Sequence, residues 1–299
     1  MSKTCPICRS RKVIVEYDGI IRNGGLGKYT DTNVKMFRCK ECETIWHDNL
    51  IDLISYYQTD TYRMSLEDSV DAQEFYRLHD RESLDKLRYT GMIYRNKNVA
   101  DVGCGCGAFL DVVSGMAKET IAIEPTLKYR EIMSKEKHYN TYAYSKDALE
   151  DWREKVDVAV SFDVIEHVDN PKEFLIDIFN MLSNDNGYAV IGTPTETPVM
   201  RKLLGEIYDK KILFSVQHKW IFSEKSLRIM ASEAGFKSDD VKIKYFQRYD
   251  LNNAMGWVNS KNPGNAIADG VISETMNQVW KSELENKGMS DYIVLYLSK

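Results

Sequence analysis

An apolar strand that runs directly into a glycine-rich turn is the feature that most restricts this chain. Val99-Ala100-Asp101-Val102 leads into Gly103-Cys104-Gly105-Cys106-Gly107, and Ala108-Phe109 begins a helical pattern. A buried strand followed by a tight turn and a helix is the building unit of a doubly wound α/β sheet. Glycines are needed in such a turn because the backbone there takes positive φ or lies against a ligand. Gly103, Gly105 and Ala108 also satisfy the GxGxxG/A dinucleotide fingerprint. Asp101 argues the other way. Two residues before the first glycine, its carboxylate would repel a diphosphate and attract a ligand that carries an ammonium group.

The same alternation continues down the chain. Strands are expected at Asn98–Val102, Thr120–Glu124, Val156–Ser161 and Tyr188–Gly192, followed by Val241–Tyr245 and a final Tyr292–Leu297. Asn170-Pro171 with Glu173 marks a helix start, Ser223-Glu224 opens another helix, and Gly235 closes it. Residues 250–290 read as irregular. Glu124 lies about 20 residues beyond the glycines, where an acid can accept two ribose hydroxyls. Phe162-Asp163-Val164-Ile165-Glu166-His167-Val168 crosses from the next strand into a helix and again leaves acids at a carboxyl edge, where open α/β sheets bind ligands.

Taken together, Asp101 to Gly107, Glu124-Pro125 and Phe162 to Val168 resemble a class I S-adenosylmethionine-dependent methyltransferase over about residues 97–245. That resemblance implies a Rossmann-like seven-stranded sheet whose last strand, Tyr292–Leu297, inserts antiparallel. It places Gly103, Cys104 and Gly105 under the methionine part of S-adenosylmethionine and puts Glu124 on the ribose. Pro125 would border the adenine, Asp147 would meet its amino group, and Phe162 and Asp163 would face the methionine end. The layout also resembles a narrower group, bacterial methyltransferases that modify surface polysaccharides and antibiotic sugars. Gln217 to Ser223, Gln247 to Asn253 and Gly256-Trp257 through Gly264 support that likeness. Sugar C-methyltransferases share the paired cysteines but carry a further C-terminal domain. The final strand ends this chain, so transfer to oxygen or nitrogen is favoured.

The cysteines give the second strong signal. Cys5-Pro6-Ile7-Cys8 and Cys39-Lys40-Glu41-Cys42 stand thirty residues apart. Two CxxC knuckles bring four thiolates to one tetrahedral Zn²⁺ and leave no open position for catalysis. A redox motif would be single, and disulfides do not persist in a reducing cytosol. His47 follows Cys42 by five residues and reads as a polar neighbour of Trp46 rather than a ligand. The organisation expected is a zinc-ribbon module over 1–48, a helical connector or cap over 49–90 and the α/β domain over 91–299. A 48-residue module buries too little apolar surface to fold alone, so metal would supply the missing free energy.

Composition excludes several classes. The 299 residues are 43% hydrophobic and 28% charged, which is a globular balance. Forty basic against forty-five acidic residues give a net charge of −5, unlike a protein whose main surface is a cationic nucleic-acid groove. No run of about 18 apolar residues occurs, and Met1 to Cys5 shows no secretory h-region, so a soluble cytoplasmic protein without a membrane span is expected.

Methyl transfer is an in-line displacement that needs positioning, and a hydroxyl acceptor also needs a base. His218, His167 and Tyr249 are the candidates for the base. His167 alternatively serves a helix terminus, and His218 alternatively packs on Trp220. Arg248 suits a phosphate or carboxylate. Tyr56-Tyr57-Gln58-Thr59-Asp60-Thr61-Tyr62 would cap the cofactor or pack in the core. The acceptor expected is a small sugar-like or nucleotide-linked molecule. Three other classes remain open: an NAD-dependent oxidoreductase, a zinc-ribbon nucleic-acid or protein modifier, and a non-catalytic relative that keeps the fold.

Overall fold

The computed structural model describes residues 3–58, 71–263 and 271–299. Part of the expected tyrosine-rich cap, Thr59 to Tyr62, and Gly264 lie outside the described residues. The chain forms two compact units. One comprises Ile51–Gly192, Arg228–Lys242 and Leu295–Lys299, and the other comprises residues up to Leu50, Thr193–Leu227 and Ile243–Val294. No helix among the described residues is long and apolar enough to cross a membrane.

Strands β1 (Val13–Gly19), β2 (Val34–Cys39) and β3 (Ile45–Trp46) come first in the chain. β4 (Asn98–Val102), β5 (Glu119–Ile123), β6 (Asn140–Tyr142), β7 (Val158–Phe162) and β8 (Tyr188–Pro194) follow. β9 (Trp220–Ile221), β10 (Val241–Phe246) and β11 (Tyr292–Ser298) complete the set. The expected seven-stranded sheet is present, in the order β10-β11-β8-β7-β4-β5-β6. β4 to β8 pair in parallel. All five residues of β7 are buried, as are the last four of β4, which accounts for sequences that are apolar apart from Ser161 and Asp101. β11 sits between β10 and β8, the inserted place expected of it.

The helices start where the sequence punctuation puts them. Asn170 accepts the Glu173 amide at 3.3 Å, and Pro171 fills the first turn of Pro171–Met181. Asp71 caps Ala72–Thr90 through the amides of Gln73 and Glu74.

The second unit holds a four-stranded sheet in the order β1-β2-β3-β9, with every pair antiparallel. The cysteine-bearing hairpin does not stand by itself. Ile45 pairs with Ile221 and Trp46 with Trp220, so a strand from far along the chain extends the ribbon. A register shift between Val15 and Tyr17 leaves Glu16 as a bulge. Its carboxylate meets Arg38 at 3.1 Å and Arg201 at 2.7 Å, and Arg201 reaches Asp209 at 2.8 Å.

One expectation is corrected. Residues 250–290 are not irregular, because helices Leu251–Ser260 and Glu274–Asn286 occupy most of the stretch. Asp250 caps the first through the Asn253 amide and Ser273 the second through the Met276 amide. Asparagines, Gly256 and Ser260 dilute helix propensity in the first of these helices, and its burial of Ala254 and Trp257 overrides that weakness.

Candidate active site

The glycine turn after β4 is built on three successive left-handed glycines, Gly103, Gly105 and Gly107. At Gly103 (φ +81°) an added Cβ would lie 2.2 Å from Cγ2 of Val164, so the turn can pass the following crossover only as glycine. The Gly103 and Cys104 amides donate to the Ile123 carbonyl at 2.7 and 3.2 Å, which fixes the loop to the end of β5. The Cys104 side chain is turned inward, with its sulfur 3.8 Å from that of Met133, so only the backbone of this residue is offered to a ligand.

Glu124 follows β5 and is buried. One carboxylate oxygen accepts the Gly105 amide at 3.0 Å and the other accepts the Thr126 amide at 2.9 Å. Arg130 donates to the carbonyls of Glu124 and Pro125, both at 2.7 Å, and so fixes the segment from behind. Asp101, near the end of β4, is only 4% exposed. Burial pushes its carboxyl up to about 7, with the Lys86 ammonium working against the shift and Glu124 adding to it. Lys86 was not read from the sequence. It belongs to helix Ala72–Thr90 and lies over the Phe162 ring at 5.6 Å from the centroid.

Phe162 ends β7 against Tyr89 and Phe109. Asp163 takes a left-handed conformation (φ +57°), with its amide on the Gly192 carbonyl at 3.0 Å. An acid tolerates that region better than a branched residue does. His167 is buried and is hydrogen-bonded through Nδ1 to the Tyr57 hydroxyl at 2.7 Å. Tyr57 also supplies its carbonyl to the Thr126 hydroxyl at 3.1 Å. Asp147 sits in the first turn of helix Ser145–Trp152 and accepts the Tyr144 amide at 3.0 Å, so it has a helix-capping role.

The four knuckle cysteines form one cluster whose sulfurs all lie within 4.8 Å of one another. Cys5 and Cys42 are 3.6 Å apart, and Cys8 and Cys39 are 3.4 Å apart. A tetrahedron of Zn–S bonds has edges of about 3.8 Å, so the cluster fits a zinc ribbon. His47 is not in the cluster; it is buried, with Nδ1 at 2.5 Å from the Asp48 carbonyl.

A cavity of about 360 Å³ lies within the second unit and is lined by His218, Arg248 and Tyr249 together. Trp220, Trp257 and Trp280 contribute apolar wall. The His218 amide donates to the Ser215 hydroxyl at 3.1 Å, and Tyr249 packs on Trp257 at 5.0 Å between ring centroids. Asp291, which the sequence did not single out, organises the loop after β10. Its buried carboxylate accepts the Arg248 amide at 3.0 Å, the Tyr249 amide at 3.2 Å and the Gln247 side-chain amide at 3.0 Å. No local pattern marks an acid just before the last strand as the anchor of a loop some forty residues earlier.

The chain matches one family model and is similar to several solved structures. A family model described as a methyltransferase domain matches residues 72–241. No curated protein matches the chain. Among solved structures, the chain is similar to a methyltransferase from Archaeoglobus fulgidus described as SAM dependent. That likeness has 19% identity, TM-score 0.49 and coverage of 76% of this chain and 97% of the other. A possible histamine N-methyltransferase from Thermotoga maritima is 18% identical, with TM-score 0.49 and coverage of 76% and 94%. A phosphoethanolamine N-methyltransferase from Haemonchus contortus is 14% identical, with TM-score 0.49 and coverage of 90% and 70%. The family match spans more than half of the chain and includes the glycine turn, Glu124 and the Phe162 to Val168 crossover: the chain belongs to the methyltransferase-domain family and is an S-adenosylmethionine-dependent methyltransferase.

Proposed function

We propose that the enzyme methylates oxygen or nitrogen of a small polar acceptor, sugar-like or nucleotide-linked, of the kind used to build surface polysaccharides. The observation that carries this reading is the meeting of His218, Arg248 and Tyr249 in one cavity walled by tryptophans. Aromatic walls with a few fixed polar groups suit a polyhydroxylated ring better than an aliphatic chain.

S-adenosylmethionine supplies a methyl group on a positively charged sulfur. Its donor set fits the acids seen here: Glu124, already held by two backbone amides, offers acceptor capacity to the ribose hydroxyls. Asp101 would take the ammonium end, while Pro125 would border the adenine and Phe162 and Asp163 would face the methionine end. The backbone of Gly103, Cys104 and Gly105 would lie beneath the methionine part.

In the transfer, an acceptor lone pair forms the new bond to the methyl carbon. The carbon–sulfur bond breaks with its electron pair kept by sulfur, and the acceptor proton passes to a base. His218 is assigned as that base, with Tyr249 beside it in the same cavity. His167, bound to Tyr57, is assigned to positioning. The four cysteines would hold one structural Zn²⁺, a reading supported by the sulfur spacing. Replacing His218 with alanine tests the assignment. S-adenosylmethionine affinity by calorimetry should stay unchanged while methyl transfer slows by about 10²–10⁴-fold; full turnover in this variant would return His218 to a packing role.

A further inference from the structure

The cysteine module does more than brace the fold. Arg22 and Leu26, in the loop between β1 and β2, line the same cavity as His218 and Tyr249. Two bridges set Arg22 there, one antiparallel to Tyr29 and one parallel to Ser215, and its guanidinium donates to the Gly24 carbonyl at 2.8 Å. The Gly24 amide in turn donates to the Gln217 side chain at 3.0 Å, so this loop is fixed to the residue beside His218.

The cavity has an unequal charge lining. Arg22, Lys211 and Arg248 bring three cations, and Asp291 is the one acid among the lining residues. The Asp291 carboxylate is already spent on the Gln247 side chain and two backbone amides, and it lies 3.6 Å from the Arg248 guanidinium.

We infer that this cavity selects an anionic acceptor, a monosaccharide-sized ring bearing a carboxylate or phosphate, and that Arg22 of the cysteine module is one of the groups that grip the anion. The inference rests on the acceptor reading given above and narrows it. At about 360 Å³ the cavity stands near the lower end of the roughly 300–1,000 Å³ usual for ligand sites, which suits one substituted ring. Arginine matches the planar oxygens of either anion with paired donors.

The test uses the whole zinc-loaded chain and three probes: glucuronate, glucose 6-phosphate and neutral methyl glucoside. Binding is followed by tryptophan fluorescence, independently of methyl transfer, and S-adenosylmethionine affinity is measured by calorimetry in parallel. One or both anionic probes should bind at least about tenfold more tightly than the neutral one and lose affinity as salt rises. Which anion binds more tightly separates a carboxylate from a phosphate acceptor. An Arg22→Met protein should bind the preferred anion about ten- to a hundredfold more weakly, Arg22→Lys should retain part of that affinity, and both should bind S-adenosylmethionine normally. Equal binding of all three probes, or an Arg22→Met protein that keeps full anion affinity, overturns the inference. If S-adenosylmethionine fails to bind while the anions do, the methyl-transfer reading fails and the anion subsite stands.

Discussion

Replacing Asp101 with asparagine should stabilise the free enzyme at neutral and alkaline pH and weaken its hold on the methyl donor. Asp101 is buried at the end of β4, and its carboxyl is pushed from 3.8 to about 7, mainly by burial. A carboxyl raised in the folded state gives its full stability contribution below the unfolded value, and that contribution is lost as pH rises towards the folded value. Between about pH 4 and pH 7 the native chain therefore loses stability that an asparagine variant keeps. A shift of about three units corresponds to about 4 kcal/mol in total. About 2.5 kcal/mol of that falls between pH 5 and pH 8, where an enzyme of this kind can be handled. Titrating groups that do not sense the Asp101 charge, which leaves Lys86 and Glu124 aside, are common to both proteins and cancel in the difference. Urea unfolding of the two proteins at pH 5, 6, 7 and 8 measures this difference directly. The gap between their unfolding free energies should widen with pH and level off above pH 7. A gap that stays constant from pH 5 to pH 8 would refute the buried-carboxyl argument. The same asparagine should bind S-adenosylmethionine more weakly at pH 8, because an ionised Asp101 is the partner proposed for the ligand's ammonium group.

Other tests follow from the same geometry. Glu124→Ala should lower S-adenosylmethionine affinity about ten- to a hundredfold by calorimetry, since charge-assisted hydrogen bonds of this kind contribute about 1.5–3 kcal/mol; an unchanged dissociation constant removes Glu124 from the ribose. Elemental analysis should find one zinc per chain, and Cys39→Ser or a strong chelator should lower the unfolding temperature of the ribbon-containing unit. A stable chain without metal would contradict the zinc assignment. Gly103→Ala should cost at least about 1–3 kcal/mol in backbone strain alone. A second change, Val164→Ala, should recover part of the additional loss caused by the 2.2 Å clash and none of the backbone component; full recovery would mean that the left-handed turn carries no cost.

The sequence by itself determined the elements whose signals are local. Buried apolar runs, a glycine turn and helix caps at Asn170 and Pro171 act over a few residues, so β4, β5, β7 and β8 were legible with their ends nearly in place. The same holds for the cysteine pairs, because ligand spacing within a knuckle is a property of four consecutive residues. The two helices between 250 and 290 escaped because their propensity is weak and burial decides them. The three-residue β6 and the two-residue β9 carry no periodic signal at all; β9 exists because β3 offers it an edge. The cavity is the larger omission. Its walls come from segments around residues 22, 211, 218, 248, 257, 280 and 291, and only the tertiary structure brings them to one place. The sequence named His218, Arg248 and Tyr249 by their position after strands. It had no means of finding Arg22 or Asp291, because each acts on groups remote in the chain. Local backbone preference can be read one residue after another, whereas charge balance and the pairing of buried polar groups are sums over neighbours that exist only once the chain has folded.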